Sequence, residues 1–130
     1  MAPVLYAFTQ AREDLGRLTE QQVASPEVSF HLRHIARSTD RLTGYLQERM
    51  PEVLGDGEPG ASREELLHEI DLAFQRAEKV VRGIDPARLR EDRWVGRKRL
   101  PTTVIGLLMH IAEHTQRHVG QAITAAKGLN

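Results

Sequence analysis

Residues 102–127 read TTVIGLLMHIAEHTQRHVGQAITAAK. Val104, Leu107 and Ile111 recur at intervals of three and four, and His114, His118 and Ala125 continue the same stripe. That period belongs to an amphipathic helix, and Thr102 or Thr103, directly after Pro101, supplies the hydroxyl that caps its first turn. Apolar residues normally fill such a stripe. Here His110, His114 and His118 follow one another at strict intervals of four, and a buried imidazole is costly unless it has a partner.

The same period extends outward through most of the chain. Val4, Phe8, Ala11, Leu15 and Leu18 mark a first segment. Ser25 as cap and Pro26 as a first-turn residue open a second, with Val28, Leu32, Ile35, Leu42 and Leu46 on its stripe and Thr39 in one gap. This segment is expected to stop near Met50-Pro51, since the residue before proline is pushed away from helical angles. Residues 51–62 form a loop by composition, ending in Ser62-Arg63-Glu64-Glu65, the pattern of a capping box. Leu66, Ile70, Ala73, Ala77, Val80 and Ile84 mark the third segment, with Gly83 and Pro86 as stop signals. Leu67, Phe74 and Val81 fall off that stripe and are expected on the exterior, as an interface or extra core. Residues 85–101 are expected as a connector, and strand-like alternation is absent throughout. Four helices, each apolar on one side, bury those stripes against one another as an all-α four-helix bundle, one domain spanning 1–130.

Bulk properties narrow the function. The 18 basic residues balance 18 acidic ones, so there is no net field to hold nucleic acid or an anionic membrane. The locally basic stretch 88–101 reads as a solvated connector. With no cysteine, disulfides, thiolate metal sites and a cysteine nucleophile are all excluded. The first residues lack a basic region ahead of an apolar run, and VIGLLM is too short to cross a bilayer, so a cytoplasmic protein is expected.

Histidines one helical turn apart can meet on one ion, and neutral imidazole is a common metal ligand. Both His110/His114 and His114/His118 qualify. All three cannot, because eight residues of helix rise about 12 Å. A pair supplies two ligands, so another helix must supply the third, and the second segment offers His31 and His34 beside its stripe. Three nitrogens leave coordination positions open, the pattern of a catalytic zinc rather than a closed structural one. His68, among acidic neighbours, is expected to be exposed. His110-Ile111-Ala112-Glu113-His114 also fits the inverted zinc-protease pattern. That reading fails because such proteases need a further carboxylate ligand downstream, and no Asp or Glu follows Glu113.

SFHLRHIARSTDRL at 29–42 and VGRKRLPTTVIGLLMHIAEHTQRHVGQAITAAK at 95–127 together resemble the DinB/YfiT-like superfamily of bacterial four-helix bundles. The late block is the more specific part, and the likeness covers most of the chain. In that family, one histidine of the second helix and two of an H-x-x-x-H on the fourth bind a divalent ion. The resemblance thus implies His34, His114 and His118 as ligands, with His31, His110, Glu113 and Gln121 bracing them or lining the pocket. The first segment is shorter than in many related chains.

The resemblance further implies a metal-dependent enzyme, a thiol-dependent S-transferase or a hydrolase, acting on a small-molecule substrate with a low-molecular-weight thiol as one candidate. Any such thiol must come from a cosubstrate. Glu113 or His31 is the candidate proton acceptor. Zinc or nickel is the expected ion, with iron also compatible with imidazole ligands. A homodimer is expected, without nucleic-acid or membrane partners. The alternative is a non-catalytic metal-binding or dimerisation module associated with stress or damage responses.

Overall fold

Ser62 accepts a hydrogen bond from the Glu65 amide at 3.1 Å while the Glu65 carboxylate accepts one from the Ser62 amide at 3.2 Å. This reciprocal cap opens one of the long helices as the sequence predicts. In the computed structural model, which describes residues 2–50 and 60–129, the helices are α1 (Ala2–Gly16), α2 (Glu20–Val23), α3 (Pro26–Leu46), α4 (Arg63–Arg82) and α5 (Val104–Ala126). Four of them are long. α2 is a single turn with its own capping box at Thr19 and Gln22. The expected loop at 51–62, and with it Pro51, lies outside the described residues as far as Pro59.

α3 packs against both α4 and α5, and α1 packs against α5 and, less extensively, α4. α3 and α5 run antiparallel: His31 near the start of α3 meets His118 late in α5, whereas Leu46 at the other end of α3 meets Arg93, just ahead of α5. The core between the helices is aliphatic and aromatic. Phe8 and Phe74 stack at its centre, and Arg12 lies over the Phe74 ring while paired with Asp71 and Glu78. Thr39, in the gap of the α3 stripe, is buried and donates its hydroxyl proton to the Ile35 carbonyl at 2.8 Å. The α2 side chain of Gln22 donates to the Ala126 and Leu129 carbonyls and ties α2 to the end of α5. Among the described residues no helix is long and apolar enough to cross a membrane.

Four expectations need correction. First, α3 ends at Leu46 rather than near Met50. Glu48 adopts φ 58°, its amide donates to the Tyr45 carbonyl, and the Arg49 amide donates back to the Gly44 carbonyl. That pair of reversed bonds is a Schellman termination, here without the usual glycine. Second, Phe74 and Val81 are buried and Leu67 is half-buried against the core, so these α4 positions are not exterior and, of the two expected roles, serve as extra core. The buried face of α4 is wider than the single stripe read from sequence. Third, Ala122 and Ala126 are the buried alanines late in α5, while Ala125 is only partly buried.

Fourth, the 85–101 connector contains secondary structure. β1 (Asp92–Val95) pairs antiparallel with β2 (Leu100–Thr103), with Trp94 opposite Pro101. Four-residue strands are too short to display alternation, and Pro101 suits an edge position, since a two-stranded ribbon has only edges. Gly96, at φ 80°, makes the turn, and the Arg99 guanidinium covers the Trp94 ring, which in turn meets Tyr45 edge-on. Buried Arg93 donates to the Leu46 and Asp92 carbonyls and pins the hairpin to the end of α3. β2 runs straight into α5, whose first turn is capped by the Thr103 hydroxyl accepting from the Gly106 amide. A side chain at Gly106 would collide with the Thr102 hydroxyl.

Candidate metal centre

α3 and α5 place their histidines along one seam. Leu32 and Ile35 are buried on α3, and Leu107 and Ile111 on α5, so the rotation of each helix is fixed by apolar burial. With that rotation set, the imidazoles must face each other. His34 lies 4.4 Å from His118 and 5.5 Å from His114 between ring centroids, and His114 lies 4.2 Å from His118. One ring nitrogen from each of the three falls within 4.8 Å of the other two. Nitrogens sharing an ion at about 2.1 Å stand about 3–3.5 Å apart, a distance that modest side-chain rotation reaches. All three rings are partly buried.

The electrostatics favour neutral imidazoles. Burial, then the neighbouring His118 and His34, push His114 down to about 4. Burial also lowers His118, followed by the His34 and Arg117 charges, while Gln121 one turn away opposes that shift. A ring kept free of its second proton near neutral pH has a lone pair to give a cation. His118 Nδ1 is buried and has no hydrogen-bond partner among the described residues. A buried polar atom without a partner is uncommon in a folded protein, and a bound ion or an ordered water is a usual way to satisfy it.

The remaining candidates separate. The His110 ring lies 6.0 Å from that of His114, at one end of the row. The His31 ring lies 6.2 Å from that of His118, and its Nδ1 is also buried without a partner among the described residues. Gln121 is exposed yet reaches the His118 ring. Glu113 is exposed and pairs with Arg117 at 3.5 Å, turned away from the seam. His68 is exposed, as expected.

Two neighbours escaped the sequence reading. Ser38, almost fully buried, places its hydroxyl 3.2 Å from His34 Nε2. Phe30 stacks parallel to the His34 ring at 5.9 Å and meets His31 edge-on at 5.6 Å. Each sits four residues from His34, so i, i+4 spacing was the available signal. A serine or phenylalanine at that spacing has no distinctive chemistry until the imidazole beside it is recognised as part of a site.

A cavity of about 800 Å³ lies elsewhere, between α1 and α5, lined in part by Tyr6, Gln10, Val119 and Ile123. Its lining among the described residues includes Asp14, Arg17 and Lys127 but no histidine, so donor chemistry rather than volume identifies the candidate centre.

Neither the curated proteins nor the solved structures contain a significant match to the chain. Residues 7–122 match the family model of the DinB superfamily. The match runs from within α1 through most of α5 and includes all of the seam histidines, three of which form a group that could hold a metal ion. The chain belongs to the DinB superfamily.

Proposed function

We propose that the chain binds one divalent ion through His34, His114 and His118 and is a metal-dependent enzyme of the thiol-dependent S-transferase or hydrolase type. The observation that carries the first half is the convergence of three imidazole nitrogens within 4.8 Å, one ring of which also has a buried Nδ1 with no hydrogen-bond partner among the described residues. The donor set fits the group: imidazole alone suits zinc or nickel, and iron is compatible. When bound, the ion supplies Lewis acidity that polarises a substrate or lowers the pKa of a thiol or water.

The chain's own contribution is positional. Helix burial fixes the three rings, Ser38 braces His34 from within the core, and Phe30, itself exposed, stacks parallel to the His34 ring. Such bracing holds the donors oriented and raises affinity. The substrate is a small molecule, and a thiol must be a cosubstrate because the sequence has no cysteine. A homodimer without nucleic-acid partners belongs to the same proposal.

One observation favours the second reading, a non-catalytic metal-binding module: Glu113, a candidate proton acceptor, faces outward. Elemental analysis of protein purified without an affinity tag tests the ligand set. About one ion per chain is expected, with loss in both His34→Ala and His118→Ala; retention in both would remove the proposal. Turnover of a thiol or ester substrate that disappears in His118→Ala would separate the enzyme from the module.

A further inference from the structure

The row of imidazoles on the α3–α5 seam is longer than a three-donor centre needs. His31 stands one turn before His34 on α3, so both point toward α5. Its ring is 6.2 Å from the His118 ring, against 4.2–5.5 Å for the distances among His34, His114 and His118. The buried unpartnered imidazole nitrogens among the described residues are His31 Nδ1 and His118 Nδ1, and they belong to neighbouring rings. His110, with its ring 6.0 Å from that of His114, has no such nitrogen among the described residues. Besides His118, the ring beside His31 is that of Phe30, which meets it edge-on at 5.6 Å without offering a hydrogen bond. A cation drawing on both neighbouring rings satisfies nitrogens that have no partner among the described residues.

We propose that His31 is a fourth, displaceable imidazole donor to the ion, holding the coordination position that a substrate takes. The inference rests on the three-histidine reading above. Its greater distance from the cluster means that His31 must rotate to reach the ion, so it is the weakest donor of the four and the first to yield. The resting centre is then an all-nitrogen four-donor site and opens on ligand binding, which reconciles a shielded ion with a reactive one. Phe30 adjoins both rings, meeting His31 edge-on at 5.6 Å and stacking parallel to His34 at 5.9 Å.

Cobalt(II) loaded into the full chain in place of the native ion provides the test. Proton NMR of such a centre counts coordinated histidines by their hyperfine-shifted imidazole resonances. Four sets are expected in the wild type, falling to three when azide is added as a small competing anion. His31→Ala is expected to show three sets without azide and to bind cobalt at least about tenfold more weakly, since losing even a bracing group around a metal costs that much. His31→Gln, closer in size, guards against a misfolded alanine variant and should also show three. Three sets in azide-free wild type would overturn the role of His31 while leaving the other three donors in place. Four sets that persist at saturating azide would overturn its displaceability. No shifted resonances and no cobalt binding would remove the three-histidine reading as well.

Discussion

Phe8 and Phe74 stack with centroids 4.3 Å apart, and His114 and His118 lie 4.2 Å apart, yet the two pairs of rings serve opposite ends. The phenylalanines are completely buried, in near-parallel contact, under the guanidinium of Arg12. Every atom of that pair is satisfied by apolar contact, which an aromatic stack augments by about 0.5–1.5 kcal/mol. The histidines are only partly buried and tilted by 50°, and burial works against their protonation. Helix packing alone would be better served by leucine at those positions. The difference teaches which part of the α1–α5–α3–α4 arrangement holds the fold and which part is given over to the proposed metal site.

The largest effect that can break this comparison belongs to the phenylalanines. Phe74→Ala is expected to cost about 3–5 kcal/mol, because a wholly enclosed aromatic leaves a cavity that its neighbours fill incompletely. For a chain of this length that lowers the melting temperature by about 10–20 °C. Thermal unfolding followed by circular dichroism measures it, and cobalt titration of the variant below its transition should give unchanged affinity. A loss below about 1 kcal/mol would show that this stack is not the structural centre, and a large loss of affinity would show that the two ring clusters are not separable.

The histidine side of the comparison predicts the opposite sign. His118→Leu is expected to stabilise the metal-free protein by about 1 kcal/mol, since it replaces a buried Nδ1 that lacks a partner among the described residues with an apolar group. Metal is expected to raise the melting temperature of the wild type, and the same change should abolish that rise. The pH dependence follows from the lowered pKa values. Unfolding returns His114 from about 4 toward its ordinary 6.5, so between those limits the unfolded chain binds more protons than the folded one. The contribution of these rings to stability is therefore intact above about 6.5 and lost as pH falls toward 4. In metal-free protein the melting temperature should decline across that window, with a shallower slope in His118→Leu, whose own lowered pKa no longer contributes. An equal slope in both proteins would mean that the pH dependence arises elsewhere in the chain.

How much of this was legible in the sequence depends on what kind of signal each feature leaves. The long helices announce themselves because burial repeats every three to four residues, and the capping box at Ser62 and the hydroxyl cap at Thr103 are local chemistry with fixed offsets. The i, i+4 histidines are legible for the same reason. Spacing could not choose among His31, His34 and the two α5 pairs, since that choice depends on how far α3 slides along α5, and sliding is set by packing. The hairpin was illegible because its four-residue strands are held by Arg93 bonding to the Leu46 carbonyl and by Trp94 against Tyr45, contacts between residues about fifty apart. The end of α3 was misplaced because Glu48 takes the left-handed conformation that a sequence reader reserves for glycine. Ser38 and Phe30 were passed over because an ordinary residue gains meaning only from its neighbour across the turn.

The smallest expected effect concerns the carboxylate closest in sequence to the candidate ligands. Glu113 precedes His114 directly, and from sequence it is as good a proton acceptor as His31. A helix places successive residues about 100° apart, so a side chain adjacent to one facing the seam points well away from it. Glu113 is accordingly exposed, and its partner is Arg117 on the same solvent face. An exposed i, i+4 ion pair contributes about 0.3–0.5 kcal/mol and is screened by salt. Glu113→Gln should therefore change stability by no more than about 0.5 kcal/mol and leave cobalt affinity within about twofold of wild type. Any turnover found for the wild type should survive the substitution with its pH profile unchanged. A variant that keeps its metal but loses turnover would bring Glu113 back to the chemistry, and the seam would then have to rotate on substrate binding to admit it.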